Sequence, residues 1–369
     1  MATLNDREKQ RYARHFSLPD FGEAGQIKLK QTSVLIIGAG GLGSPLLQYL
    51  AAAGLGRIGI VDFDMVDESN LQRQVLFNLD DVGRSKAQVA KRKLHALNPH
   101  VEIQDYTTAI TIDNVLEILE PYDIIADGSD NFATRYLVND ACVLMGKPLV
   151  YGSIFRYEGQ VSVFNALRSD GSRGPHYRDL YPHPPAPGSV PNCAAGGVLG
   201  VLPGIIGSLQ ANEVIKLAAG YGELLDGKLL LFDAASMQIR TLKFKSNPDI
   251  VIHDLTDYQG ICDGPDIQTV KEIDVATLQN WINTGKDFQL IDVREADEYR
   301  LGNIGAELLP LSELDNSICK VDTHRPVVLH CRSGQRSAQA IRILQQKSGH
   351  EQLYNLKGGY LAWMGRQIG

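Results

Sequence analysis

A strand that runs directly into a glycine-rich turn constrains this chain more than any other feature. Residues 33–40, SVLIIGAG, form an apolar run, and GSPLLQYLAAAG after it has the spacing of a helix. The turn places Gly38, Gly40 and Gly43 in the pattern G-x-G-x-x-G. Such a turn lets the backbone approach a phosphate, and the helix N-terminus that follows favours negative charge. The pattern predicts a nucleotide site; a turn that serves packing alone is the alternative.

Short apolar runs and helical patterns alternate up to residue 148. RIGIVDFD and YDIIADGSD predict strands, and RSKAQVAKRKLHAL and NFATRYLVNDACVLMG predict helices. This alternation is typical of a parallel sheet with helices on both faces. Beyond it, PLVYGSIFRYEGQVSVFN contains two β-rich runs joined by a short turn. We therefore predict an α/β, Rossmann-like doubly wound, mainly parallel sheet with an antiparallel extension.

The alternation restarts after a polar seam at 246–268. It predicts a first domain over 1–247, a linker over 248–267 and a second, smaller α/β domain over 268–369. Within the first domain, residues 168–192 are rich in proline, glycine and charge, which predicts a long exposed loop.

Composition excludes several classes of function. The chain has 369 residues, enough for two cores, and its formal net charge of −7 does not favour a nucleic-acid partner. The N-terminus has no apolar region typical of a signal peptide. The longest apolar run, 194–209, is short for a membrane span and contains Pro203, so we predict a buried helix there and no membrane partner. Five cysteines at wide spacings predict free, reduced thiols and a cytoplasmic protein.

Polar residues after the glycine turn indicate which nucleotide it binds. NAD is the usual ligand of this turn, with a carboxylate such as Asp62 on a ribose hydroxyl. However, Asn70, Arg73 and Lys86 follow soon after, and two cations with an amide suit a triphosphate. Asp130 ends a later strand, where a carboxylate suits Mg²⁺. The alternative for each of these residues is a solvated surface position.

Over residues 5–245 the sequence resembles the MoeB/ThiF branch of the ubiquitin-activating-enzyme superfamily. The motifs concerned are GAGGLGSPLLQYLAAAGLGRIGIVDFDMVDESNLQRQ, GRSKA, DNFATR and NCAAGGVLGVLPGIIG. In that family ATP adenylates the C-terminal Gly-Gly carboxylate of a small ubiquitin-like sulfur carrier and releases pyrophosphate. The resemblance implies a set of nucleotide-binding residues: Gly41, Asp62, Ser69, Asn70, Arg73, Lys86, Asp130 and Asn131.

The resemblance also implies their roles. Asp62 holds the ribose, Arg73 and Lys86 hold the phosphates together with Asn70, and Asp130 coordinates Mg²⁺. Arg14, in RYARHF, resembles the family arginine that reaches across a homodimer into the neighbouring ATP site.

A second constellation surrounds Cys331, which ends the apolar run PVVLHC. The following loop consists of Arg332, Ser333, Gly334, Gln335 and Arg336. It can curl so that backbone N–H groups and a helix N-terminus point at the sulfur and favour its anionic form. Protein tyrosine phosphatases have a similar loop, but with five residues between cysteine and arginine, whereas here there are four. The smaller loop suits a single sulfur atom.

With IDVREADEY and LKGGYLAW, residues 266–369 resemble rhodanese domains. The resemblance implies a persulfide on Cys331 that attacks the adenylated carrier and yields a thiocarboxylate. Asp292 and Arg294 are expected to brace this domain rather than take part in the chemistry.

The other cysteines are less informative. Cys193 lies where related enzymes carry a cysteine proposed to accept the acyl group or to join a mixed disulfide, and the alternative is a small apolar residue before a helix. Cys142, Cys262 and Cys319 are interpreted as structural or incidental.

Many relatives bind structural zinc through two C-x-x-C pairs. At the matching places this chain has His176 and Asp179, then Ile250 and His253, with no thiolate among them. We therefore expect no structural zinc.

Together these features predict an ATP- and Mg²⁺-dependent sulfur-carrier adenylyltransferase and sulfurtransferase, homodimeric through its first domain. Its sulfur donor would be a cysteine desulfurase or thiosulfate. Its pathway would be molybdopterin synthesis, with thiamine synthesis, tRNA thiolation and cysteine synthesis as alternatives. An activating enzyme that passes its carrier to a conjugating partner is a rival, as is a non-catalytic carrier-binding scaffold. An NAD dehydrogenase ranks last.

Overall fold

The chain divides into two compact units, Met1–Asp263 and Gly264–Gly369. In this computed structural model the structure describes residues 3–185, 197–258, 270–316, 318–348, 350 and 352–365. Each unit is built around its own β-sheet and is presented separately.

An eight-stranded sheet forms the centre of the first unit, with spatial order β3-β2-β1-β4-β5-β6-β7-β8. The strands are β1 Ser33–Ile37, β2 Arg57–Val61, β3 Glu102–Tyr106, β4 Ile124–Asp127, β5 Leu149–Phe155, β6 Glu158–Phe164, β7 Lys228–Asp233 and β8 Gln238–Lys243. Strands β1 to β5 are parallel, and β6, β7 and β8 are antiparallel to their neighbours. The predicted doubly wound sheet with an antiparallel extension is confirmed.

Helices cover both faces of this sheet. They are α1 Asp6–Phe16, α2 Gly22–Gln31, α3 Gly43–Ala53, α4 Lys86–Leu97, α5 Val115–Leu119, α6 Phe132–Met145, α7 Tyr177–Leu180 and α8 Leu202–Ala219. Because side chains alternate along a strand, Val34 and Ile36 of β1 face one core with helices α3, α4 and α8. Leu35 and Ile37 face a second core with α5 and α6. The central strand β1 is therefore buried on both sides, as its continuous apolar sequence predicts.

The structure of the described part of 168–192 differs from the long exposed loop that was predicted for this stretch. Residues 177–180 form α7, and Tyr177 is buried with its ring against Tyr136, Tyr151 and Phe164. The composition of this stretch did not indicate a helix, because proline, glycine and charged residues surround the single buried aromatic residue, Tyr177. The prediction of an exposed loop was wrong for this stretch.

The second unit has a five-stranded, all-parallel sheet with spatial order β11-β10-β12-β13-β9. Its strands are β9 Lys271–Ile273, β10 Gln289–Asp292, β11 Glu307–Leu308, β12 Val327–His330 and β13 Leu353–Leu356. Its helices are α9 Val275–Asn283, α10 Ala296–Leu301, α11 Gln335–Ser348 and α12 Gly359–Gly365. The central strand β12 is buried along its length and ends immediately before Cys331. The predicted smaller α/β domain is confirmed.

The apolar run at 194–209 leads into α8, which begins at Leu202 with Pro203 in its first turn. Proline fits there because the first N–H groups of a helix have no intrahelical acceptor. Among the helices of the described residues, none combines the length and apolar character needed to cross a membrane.

Candidate active sites

A cavity of about 440 Å³ lies at the carboxyl ends of β1, β2 and β4 in the first unit. The strand order reverses between β1 and β4, because the chain proceeds outward from β1 to β2 and β3 and then returns to the other side. Ligands of open α/β sheets bind at such a switch point. The predicted residues that line the cavity are Gly41, Asp62, Arg73, Lys86, Asp130 and Asn131.

The glycine turn forms one wall of this cavity. A Cβ atom at Gly43 would lie 2.0 Å from the carbonyl oxygen of Gly38, so only glycine lets α3 start this close to β1. Gly38 itself has φ +91°, a left-handed conformation that favours glycine. Gly40 and Gly41 lie between them and line the cavity with backbone. The turn therefore combines tight packing with an open backbone surface that a phosphate can approach.

Asp62 follows β2 and is 8% exposed. Its carboxylate accepts hydrogen bonds from the backbone N–H of Ala39, at 2.7 Å, and of Asp64, at 2.8 Å. Burial raises the pKa of Asp62 above its ordinary value, although the charge of Lys86 and the two N–H donors oppose this shift. The side chain thus fixes the glycine turn and presents a carboxylate at the cavity wall.

Lys86 is the first residue of α4, and its side chain is 6% exposed. Its Nζ lies 2.8 Å from Asp64 Oδ2, and the Asp64 side chain is 52% exposed. Sequence reasoning missed Asp64, although its position two residues after Asp62 was a visible signal. The cation is desolvated and paired with a solvated carboxylate that an anionic ligand can replace.

Arg73 supplies the second cation of the cavity wall. Its Nη1 donates to the carbonyl oxygen of Ser69 at 3.3 Å. Ser69 and Asn70 belong to the short 3₁₀ turn Glu68–Asn70 and do not line the cavity. Arg14 lies exposed in α1, also away from it.

The loop after β4 brings two further predicted residues to the cavity, Asp130 and Asn131, both exposed. Asn131 is the N-cap of α6 and accepts the N–H of Thr134 at 2.8 Å. The buried Asp127 accepts the N–H of Ser129 at 2.8 Å, which shapes the loop between them. Burial raises the pKa of Asp127, although the charge of Arg135 and the hydrogen bonds from Ser129 oppose this shift.

Sequence reasoning also missed Arg135, a nearly buried cavity residue in α6. Its Nη2 donates to the carbonyl of Ser129 at 3.0 Å, and its guanidinium lies 5.7 Å from the centre of the Tyr151 ring. Arg135 therefore holds the loop that carries Asp130. The motif DNFATR contained it, but nothing in the sequence separates a loop-holding arginine from a solvated one.

Asp130 is the predicted Mg²⁺ ligand, and its exposed carboxylate is the type of oxygen ligand that this ion accepts together with nucleotide phosphates. Within the part of the chain that the structure describes, no three His, Cys, Asp or Glu side chains cluster to hold a metal by themselves. A magnesium ion here would rely on phosphate oxygens and water for its other ligands.

Cys331 forms the candidate site of the second unit and is buried. The backbone N–H of Gly334 donates to its Sγ at 3.2 Å, and Ser337 Oγ lies 3.5 Å from it. The loop over 332–334 leads into α11, which begins at Gln335, so both of these donors lie at the start of that helix. Arg332 and Ser333 are exposed, whereas Gly334 is buried. The geometry favours negative charge on the sulfur.

The two arginines that follow Cys331 differ in their surroundings, because Arg332 is exposed whereas Arg336, in α11, is paired with a carboxylate. Arg336 forms a two-point ion pair with Glu298 of α10, at 2.6 and 2.7 Å. The hydrogen bond from Arg336 lowers the pKa of Glu298, despite partial burial. The charge of Arg336 is thereby offset, which leaves backbone N–H groups as the main donors near the sulfur.

Asp292 and Arg294 form a buried ion pair, at 2.6 Å between Arg294 Nη2 and Asp292 Oδ2. Arg294 also donates to the carbonyl of Gly302 at 2.8 Å and lies 4.2 Å from the centre of the Tyr360 ring. These contacts join β10, α10 and α12, in keeping with the predicted bracing role.

Cys193 and Cys262 lie outside the described residues. The remaining predicted structural cysteines differ: Cys142 is buried in α6, and Cys319 is exposed.

The four positions at which relatives carry zinc ligands do not fit that metal here. His176 precedes α7, and its backbone N–H donates to Asp179 at 2.7 Å. Asp179 also accepts the N–H of Asn247 at 2.8 Å, so the carboxylate is already engaged. Ile250 has no donor atom in its side chain, and His253 is exposed.

Comparison with protein families gives two matches. The ThiF family model matches residues 12–251, and the Rhodanese-like domain model matches residues 274–366.

Curated proteins similar to this chain include three named types. The probable adenylyltransferase/sulfurtransferase MoeZ of Mycobacterium tuberculosis is 47% identical over 98% of this chain and 94% of its own length. The sulfur carrier protein adenylyltransferase of Thermus thermophilus is 51% identical over 69% of this chain and 97% of its own. The adenylyltransferase and sulfurtransferase MOCS3 of Drosophila grimshawi is 40% identical over 98% of this chain and 85% of its own.

Solved structures similar to this chain include E. coli MccB with ATP, at 26% identity and a TM-score of 0.55, over 67% of this chain and 75% of that one. PaaA is 25% identical with a TM-score of 0.56, over 66% of this chain and 76% of that one.

Proposed function

Because this chain belongs to the ThiF family and ends in a rhodanese-like domain, we propose that it makes a thiocarboxylate on a ubiquitin-like sulfur-carrier protein. The chain is an adenylyltransferase and a sulfurtransferase, as are the relatives that it matches over almost its whole length. The carrier would present a C-terminal Gly-Gly carboxylate to the cavity of the first unit.

Adenylation makes the carboxylate reactive. A carboxylate oxygen attacks the α-phosphorus of ATP, the bond to the β-phosphate breaks, and pyrophosphate leaves. The resulting mixed anhydride has AMP as a leaving group. The observation that carries this proposal is the convergence of the glycine turn, Asp62, Arg73 and Lys86 on one cavity at the switch point of the sheet. Mg²⁺, held by Asp130 and phosphate oxygens, would neutralise charge on the phosphates.

Each cavity residue has a physical role in this step. Asp62 would accept a hydrogen bond from a ribose hydroxyl. Lys86 would exchange its ion pair with Asp64 for an ion pair with a phosphate, since both partners are anionic. Arg73, which also lines the cavity, would contact the phosphates as the second cation. Positioning and charge neutralisation are what such a reaction requires of a protein.

Sulfur transfer would follow at Cys331. The terminal sulfur of a Cys331 persulfide attacks the acyl carbon, AMP leaves, and an acyl disulfide joins the carrier to the enzyme. A second thiol then attacks the cysteine sulfur, which releases the thiocarboxylate and leaves a disulfide that a cellular thiol reduces. Cys193 is the candidate for that second thiol. The Gly334 N–H and the α11 N-terminus would stabilise the thiolate of Cys331.

The wider setting is also part of the proposal. The functional domains would be 1–247 and 268–369, joined by a linker over 248–267, and the protein would work in the cytoplasm as a homodimer. The sulfur donor would be a cysteine desulfurase or thiosulfate. Molybdopterin synthesis is the proposed pathway. The Cys331 loop favours sulfur transfer over the passing of a carrier to a conjugating partner, which would not require it.

Carrier-dependent exchange of labelled pyrophosphate into ATP tests the adenylation step. The exchange should require the Gly-Gly terminus and Mg²⁺, and its absence with every Gly-Gly carrier would overturn the proposal. Mixing the Arg14→Ala and Lys86→Ala proteins tests the homodimer. If Arg14 serves the neighbouring site, random pairing restores about a quarter of wild-type exchange; if it serves its own site, mixing restores nothing.

A further inference from the structure

Two buried carboxylates join elements of the first unit that are distant in sequence. Asp140, in α6, accepts hydrogen bonds from the hydroxyl of Tyr258 and from Asn139 Nδ2, the latter at 2.9 Å. Arg178, in α7, lies 3.3 Å from Asp140 Oδ2 and donates to the Tyr258 oxygen at 3.1 Å. The three side chains thus form a closed triangle of acid, guanidinium and phenol.

The second carboxylate, Asp179, has a fully buried side chain. It accepts the backbone N–H groups of His176 and Asn247, at 2.7 and 2.8 Å. These are the regions in which the family resemblance implies zinc-binding C-x-x-C pairs. In this chain a carboxylate makes the same connection with hydrogen bonds, and the available side chains do not fit the metal.

The chain that leads out of the first unit is therefore held at two points. Asn247 is tied to Asp179, and eleven residues later Tyr258 is tied to Asp140. Tyr258 is only 4% exposed, and its ring lies 5.1 Å from that of Tyr136. We call Asp140, Arg178, Asp179, Asn247 and Tyr258 the clasp.

We propose that this metal-free clasp is the fixed end of the connection to the sulfur-transfer unit, with Tyr258 as the positioning residue for sulfur transfer. This inference rests on the proposed function. The connection from Tyr258 to β9 then comprises residues 259–270 and can span at most roughly 45 Å. This proposal assigns residues 248–258, the first part of the predicted linker 248–267, to the first unit.

The clasp also connects to the nucleotide cavity through one helix. Helix α6 carries Asn139 and Asp140 near its middle, and its first turns contribute Thr134 and Arg135 to the cavity. The chain toward the second unit is therefore attached to the same helix that borders the adenylation site. Fixing this starting point keeps the reach of Cys331 short.

Release of the clasp should change sulfur transfer but not adenylation. Release of Tyr258, together with the partly buried Leu255 that packs against the same core, moves the last fixed residue back to Asn247. The connection then grows to residues 248–270, almost twice as long. Effective concentration falls with about the −3/2 power of tether length, so the intramolecular transfer should slow about three-fold. A zinc-selective chelator, added with Mg²⁺ in excess, should have no effect on this step, since no zinc holds the clasp.

The test compares full-length wild type with Tyr258→Ala and with a matched control that keeps the clasp. The control inserts eleven glycine and serine residues between Gly264 and Pro265, which lengthens the connection by the same amount. Two rates are measured with a Gly-Gly carrier: pyrophosphate exchange, and single-turnover sulfur transfer from the preloaded Cys331 persulfide. Cleavage within 248–257 by an aspartate-specific protease reports the clasp directly.

We expect both variants to transfer sulfur about three-fold more slowly with unchanged exchange, and only Tyr258→Ala to be cleaved within 248–257. Tyr258→Phe retains the ring contact and should give a smaller loss. The inference is overturned if the insertion leaves transfer unchanged, or if Tyr258→Ala lowers exchange as much as transfer. Failure of the proposed function is distinct: wild type would then lack exchange, while protection of 248–257 would persist.

Discussion

Substitution of Gly359 should disable sulfur transfer without touching the reactive cysteine. Gly359 has φ +56° and begins α12, beside the Cys331 loop. A Cβ atom there would lie 2.4 Å from the carbonyl oxygen of Cys331 and 2.7 Å from that of Arg332. Ordinary contact begins at 3.4 Å, so the loop must move by about 1 Å.

These contacts give the loss in free energy of unfolding that Gly359→Ala should cause. A left-handed conformation costs alanine about 1–2 kcal/mol. The two displaced carbonyls accept the N–H groups of Tyr360, at 2.8 Å, and Leu361, at 3.0 Å. Weakening both hydrogen bonds costs about 2 kcal/mol more. We expect Gly359→Ala to lower the free energy of unfolding of the second unit by about 3–4 kcal/mol.

Gly285→Ala is the matched control, because Gly285 has φ +66° but no heavy atom within 4 Å of an added Cβ. It should show the conformational cost alone. Urea unfolding followed by tryptophan fluorescence measures the second unit, since both tryptophans, Trp281 and Trp363, lie in it. Sulfur transfer from thiosulfate to cyanide should fall about 100-fold in Gly359→Ala and not in the control, because a displacement of about 1 Å is costly at a reacting centre. Equal stability and activity of the two variants would refute this reasoning.

Three further outcomes follow from single contacts. Lys86→Ala should lower carrier-dependent pyrophosphate exchange at least ten-fold, because a charged phosphate contact contributes about 1.5–3 kcal/mol. Lys91→Ala should not, since Lys91 is a half-exposed lysine of the same helix that pairs with Asp105 and does not line the cavity. For Asp81, burial raises the pKa, but hydrogen bonds and charges from Lys93, Arg92 and the Asn78 N–H outweigh it and lower the pKa. Its stabilising contribution is therefore present above the unfolded pKa of about 3.9 and is lost as pH falls through the folded value. Urea unfolding should show wild type more stable than Asp81→Asn at pH 7, with a difference that shrinks below about pH 4; a difference that grows on acidification would contradict this. Ser337→Ala should slow sulfur transfer to cyanide by no more than about ten-fold, since Gly334 N–H remains on the sulfur, and complete loss would show that Ser337 is the main donor.

The sequence predicted the structure best where a short contiguous segment can adopt only one arrangement of strand, turn and helix. The apolar run into G-x-G-x-x-G predicted β1, the turn and α3, because glycine spacing is tied to close packing of Gly43 on Gly38. The same holds for Cys331, whose place after a buried strand follows from the apolar run PVVLHC. In both cases the strand end, the turn and the helix start are contiguous in the chain.

Pairings between distant residues were not predictable in this way. Arg336 meets Glu298 across 38 residues, and Asp140 meets Tyr258 across 118. Charge and polarity in the sequence do not say which partner a side chain finds. The helix at 177–180 was missed for a related reason, since Tyr177 is buried by aromatic rings that come from other elements.

Intact mass of a candidate Gly-Gly carrier tests the central claim most directly. The carrier is incubated with MgATP, thiosulfate and either wild-type protein or Cys331→Ala. We expect the carrier mass to increase by the difference between one sulfur and one oxygen with wild type. With Cys331→Ala we expect an unmodified or adenylated carrier. A thiocarboxylate formed equally by the two proteins would contradict it.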